Sequence, residues 1–134
     1  MKYPFFFFLA ALTFCSCHQS AIRQSFLPAD SLVIHFKDEQ AGIVTKTVQT
    51  AESKAISRIV DFMDGKAIEQ LNCGYDGKMF FYSKGQQIQE ADFKMKDEAC
   101  NHFAFLLNGK LVNTKMSEEA VVFFDALEKG IPYY

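Results

Sequence analysis

An α+β domain is predicted, with one antiparallel sheet of five to seven strands, curved or barrel-like, and two α-helices packed on one face. Three observations lead there. Short alternating or β-branched segments recur between residues 32 and 115. The signals between them are tight turns, which suit antiparallel neighbours. Two stretches of helical period stand apart, one after the second strand and one near the C-terminus, giving the order β-β-α-β-β-β-β-β-α.

The first strand is set by Leu32, Ile34 and Phe36, which alternate with Val33, His35 and Lys37. Gln40-Ala41-Gly42 turns the chain, and the β-branched residues 43–49 return as a hairpin partner. Thr50 or Ser53 then offers a side-chain oxygen to cap a helix. Ile56, Ile59, Val60 and Met63 fall at i, i+3, i+4 and i+7 and make one apolar stripe, and Gly65 ends it.

Residues 66–73 read as a strand, followed by the turn signal Gly74-Tyr75-Asp76-Gly77, because Asp-Gly supplies the positive φ of tight hairpins. Strands are expected at 78–83 and, after Lys84-Gly85-Gln86, at 87–94, the latter polar enough for a sheet edge. Residues 102–107 and 110–115 form a hairpin about Asn108-Gly109. Ser117 opens the second helix. Glu118 and Glu119 lie in its first turn, Ala120, Val121, Phe124 and Leu127 on its core stripe, and Gly130 at its end.

The chain of 134 residues suits a single such domain. Apolar residues make up 49% and charged residues 22%, as in folded globular proteins, and a net charge of -2 with no basic cluster argues against nucleic acid as a partner.

The N-terminus has a different character. Lys2 precedes an apolar run over residues 4–14, which is too short for the roughly 20 residues that span a bilayer but has the length of a signal-peptide core. Cys15-Ser16-Cys17 follows. This leader resembles a bacterial lipobox, in which a small residue precedes a cysteine that receives a diacylglyceryl group. Ser16-Cys17 fits that step. Phe14 stands where Leu is usual and Cys15 where Ala or Ser is usual, a looser form that resembles lipoproteins of the Bacteroidetes group. The alternatives are a plain secretory leader cut near Ser16 and a buried N-terminal helix. The resemblance implies a signal peptide over 1–16, lipidation at Cys17, a tether over 17–29 and a domain over 30–134. Several acyl chains would anchor it stably to a membrane where one is marginal. No acidic run follows Cys17, which favours the periplasmic side over the cell exterior.

Beyond Cys17, the cysteines are Cys73 and Cys100. In an oxidising compartment such a pair forms a disulfide. Two buried thiols, or a metal or redox site with His102 and His35, are the other readings. A matched second pair of zinc ligands is missing, so no metal or other cofactor is expected. The sequence has no Gly-x-Ser-x-Gly elbow and no phosphate-binding glycine loop, and so names no catalytic residue. Tyr75 and Asp76, on the turn beside Cys73, are the candidate partner contacts, since tyrosine buries area at low entropy cost.

These features point to a lipid-anchored cell-envelope protein that binds an unidentified envelope partner without catalysis. A second reading is a binder of a small apolar ligand, held by Phe80, Tyr82, Phe93, Phe103 and Phe105 in the curved sheet. An enzyme without a recognisable motif is the third.

Overall fold

The computed structural model describes residues 20–131. The leader, Cys17 and the first residues of the expected tether lie outside them. The elements run α1 (Ala21–Phe26), β1 (Ser31–Lys37), β2 (Val44–Thr50), α2 (Ser53–Met63), β3 (Ala67–Ile68), β4 (Gly77–Ser83), β5 (Gln86–Lys94), β6 (His102–Leu107), β7 (Lys110–Lys115) and α3 (Glu118–Lys129). The strands form one curved antiparallel sheet of seven, in the order β2-β1-β4-β5-β6-β7-β3, with the helices packed on it.

The alternation of β1 places Leu32, Ile34 and Phe36 in the core. Met79 and Phe81 of β4, Ala91 and Phe93 of β5, and Phe103 and Phe105 of β6 continue that face. The apolar stripe of α2 closes over it with Ile56, Ile59, Val60 and Met63 buried. In α3, Ser117 caps the helix by accepting from the Ala120 amide, and Gly130 ends it in the left-handed region at φ 68°. Phe124 of α3 meets the rings of Phe93 and Phe103 at 4.9 and 5.8 Å. Arg58 ties α2 to α3 by pairing with Glu119 and lying over the rings of Phe62 and Phe123.

Three elements depart from the sequence expectation. Helix α1 lies within the stretch read as tether. Ser20 caps it, and Ile22 and Phe26, one turn apart, are buried. The Phe26 ring stands edge-on to Phe81 at 4.8 Å and to Phe105 at 5.2 Å. This segment therefore contributes to the core.

β5 is central rather than an edge strand. Its first five residues leave the core at the hairpin end, with Gln86, Gln87, Ile88 and Glu90 exposed, and this explains the polar composition.

Gly74 to Gly77 does not make a hairpin. Only Ala67 and Ile68 of the expected 66–73 strand pair, and they pair with β7 at the far edge. β4 pairs instead with β1 and β5. Residues 69–76 must therefore cross β7, β6 and β5. That is four strand spacings, about 19 Å, well within the reach of eight residues at roughly 3.3 Å each.

Candidate functional site

The crossing segment runs over the sheet face opposite the helices. His102 and Phe103 are neighbours on β6 and point to opposite faces. Phe103 meets α3, while the His102 ring lies 5.6 Å from the ring of Tyr75. The Cys73–Cys100 disulfide, with Cα atoms 6.2 Å apart, fastens the segment to the loop before β6. Both cysteines are thus used in the bond, which replaces the thiol and metal readings for this pair.

Asp76 ends the crossing and enters the sheet. Its amide donates to the Phe93 carbonyl at 2.8 Å, and its carbonyl accepts from the Lys37 amide at 2.7 Å. Its side chain is 2% exposed and does not face a partner, contrary to the sequence expectation. Oδ2 accepts from the amides of Met95 and Lys96, at 2.8 and 2.9 Å, and Oδ1 accepts from Lys94 Nζ at 3.1 Å. The physical reason is register. The residue that looks like a turn tip lies between β1 and β5, where only an acceptor for those three donors is tolerated.

Lys94 is itself buried, and its ammonium makes a second bond, of 2.6 Å, to Glu39 Oε2. Burial pushes the Lys94 ammonium down, but its bonds to Glu39 and Asp76 outweigh this and hold it above its ordinary value. Lys94 is therefore a fixed cation and hydrogen-bond donor, not a free amine nucleophile. Glu39 comes from the β1–β2 turn. Asp38 shapes that turn by accepting from the Gln40 and Ala41 amides, and these bonds hold its carboxyl below the usual value. Around this triad lies an open cavity of about 660 Å³ that also takes in Lys37, Lys96, Asp97 and Cys73.

Tyr75 is half-buried on His102. Burial, and then the charge of Asp92, push its phenol above the usual value. His102 Nδ1 lies 2.6 Å from the Cys100 carbonyl, which can only accept, so Nδ1 carries the hydrogen. Among the described residues, His102 Nε2 and Asn113 Oδ1 are buried with no hydrogen-bond partner.

The five aromatics grouped by sequence as a ligand lining do not share a face. Phe93, Phe103 and Phe105 are buried beneath the helices. Phe80 and Tyr82 alternate with the buried Met79 and Phe81 and point to the other side, where Phe80 meets the His35 ring at 5.2 Å.

At the hairpin ends of β5, β6 and β7, this outer face carries apolar side chains. Leu106 and Leu111 are paired in register and stand 57% and 47% exposed, and with Ile88 they line a groove of about 410 Å³.

Sequence reasoning missed Lys94 and Glu39. Lys94 sits in Ala-Asp-Phe-Lys-Met, an alternation that assigns it to the outward face, and nothing local records that the crossing segment covers that face. No protein-family model, curated protein or solved structure matches the chain.

Proposed function

We infer that this chain is a small lipid-anchored protein of the bacterial cell envelope that acts by binding a protein partner, without catalysis. The observation that carries the binding reading is the outer-face pair Leu106 and Leu111, apolar side chains left exposed directly opposite each other beside Ile88. On the helix side, Phe26, Phe36, Phe81, Phe93, Phe103 and Phe124 already occupy the space a small apolar ligand would need, so binding is assigned to the surface. The envelope address rests on the resemblance of residues 1–17 to a lipoprotein leader. The Cys73–Cys100 bond supports it, since disulfides persist in oxidising compartments.

Two measurements test the two halves. Intact mass of the membrane-extracted protein should equal the chain from Cys17 plus acyl groups, and a mass without lipid would overturn the anchor. A photo-cross-linker placed at Leu106 in living cells should capture one envelope protein. The Leu111→Glu variant should lose that capture at unchanged thermal stability, and the same probe at Lys54, on α2, should capture nothing. Equal capture from both positions, or none from Leu106, would overturn the binding face.

A further inference from the structure

We propose that the cavity at Lys94 is a binding site for a ligand carboxylate, and that Glu39 occupies it as an internal stand-in. This site lies apart from the Leu106–Leu111 face and does not depend on it.

Lys94 has a surplus of partners. Lys94 Nζ has Asp76 at 3.1 Å and Glu39 at 2.6 Å, although one carboxylate would neutralise it. The two partners differ in kind. The Asp76 side chain is 2% exposed and fixed by two backbone amides, whereas that of Glu39 is 47% exposed and hangs from a surface turn. Among the described residues Glu39 has Lys94 as its only polar partner. The other acidic side chains of the cavity are committed: Asp38 to its own turn and Asp97 to the Ala99 amide.

A rotation of the Glu39 side chain into solvent breaks one bond and leaves Asp76 in place. It exposes one donor direction of a buried ammonium to an open cavity of about 660 Å³, with Lys37 and Lys96 on its walls. An arriving carboxylate replaces the departing one charge for charge. It makes the bond Glu39 made, with Lys37 on the cavity wall, while Lys96 beside it is paired with Glu128 at 2.9 Å. Buried ammoniums of this kind bind carboxylates through short, charge-assisted hydrogen bonds. The ligand class is therefore a carboxylic acid, either a small free acid or an acidic side chain of a protein.

The test uses the full chain and its Glu39→Ala variant, with Glu39→Gln as a second variant of unchanged size. Each is titrated with sodium succinate, and separately with a short Glu-containing peptide, at ionic strength held constant with sodium chloride. Binding is followed by the lysine side-chain ammonium signals and the backbone amides of Met95 and Lys96 in nitrogen-15 NMR. Removal of the competing Glu39 should tighten succinate binding about tenfold, the value of one charge-assisted bond, with shifts centred on the Lys94 ammonium. Tighter binding of the peptide than of succinate identifies a protein side chain as the source, and the reverse identifies a free acid. Affinity unchanged in both variants, or shifts centred away from Lys94, overturns the proposal.

Discussion

Lys94 Nζ lies 3.1 Å from Asp76 Oδ1, and the two side chains are 4% and 2% exposed. This pair joins β5 to the residue that leads into β4, and Asp76 also satisfies the amides of Met95 and Lys96. Removal of one member of such a pair leaves a buried charge unmatched, which costs more than the pair itself contributes. The Asp76→Ala variant should lose about 3 kcal/mol, at the low end of the range because Glu39 still reaches Lys94. Asp76→Asn keeps one acceptor and should lose less. Urea unfolding of the two variants checks the order, and equal losses would contradict it.

Asp92 provides a pH prediction of known sign. Burial holds its carboxyl above the ordinary 3.8, only partly opposed by Lys78 and Lys37. A carboxyl whose pKa rises on folding destabilises the folded state when ionised. That penalty is fully present above the raised pKa and fades as pH falls through it towards 3.8. Asp92→Asn should therefore stabilise the domain at neutral pH, by about 0.5 kcal/mol, and Lys78 keeps Glu90 as a partner. The gain should vanish in acid. Thermal melts across the acidic range measure it, and a gain that grows on acidification would reverse the assignment.

The local devices of this fold are legible in the sequence, and the long-range ones are not. The alternation of Leu32, Ile34 and Phe36, the stripe from Ile56 to Met63 and the Ser117 cap each depend on neighbours within a few residues, and each stands where the sequence places it. Ser20, Ile22 and Phe26 carried a cap and an i, i+4 apolar pair, a signal for α1 hidden by its short length. Asp76 is different. Asp-Gly is a hairpin signal in isolation, but the three donors that bind Asp76 lie 18 to 20 residues away on β5 and just beyond it. The same holds for the candidate carboxylate site. Glu39 and Lys94 are 55 residues apart and meet only because β1 and β5 flank β4.

The disulfide holds the crossing segment over His102, and this has a measurable consequence. The bond joins residues separated by 27 positions. Removal of a link over a loop of that size destabilises a small domain by roughly 3.5 kcal/mol. The double variant Cys73→Ser, Cys100→Ser should show this loss. Hydrogen exchange should speed up first in residues 69–76, which the disulfide, the Tyr75–His102 contact and the Asp76 bonds hold to the sheet. Uniform acceleration across the sheet would mean that the segment and the sheet open together.

Gly77 gives the sharpest steric prediction. A Cβ there would stand 2.2 Å from Phe93 Cζ and 2.5 Å from the His35 carbonyl oxygen. The ring is also packed against Phe36 and Phe124, at 5.6 and 4.9 Å between centroids, so it cannot move far without disturbing α3. The carbonyl belongs to β1, whose ladder with β4 fixes its position. Overpacking of this kind costs about 1–3 kcal/mol in cores that can adjust, and two rigid neighbours put Gly77→Ala at the upper end. Ala at Gly42 meets nothing within 4 Å and carries only the cost of a positive φ of 65°. Chemical unfolding of the two variants should place Gly77→Ala well below Gly42→Ala. The reverse order would mean that β1 and β4 can part at Gly77 without loss, and the buried position of Asp76 beside it would then need another explanation.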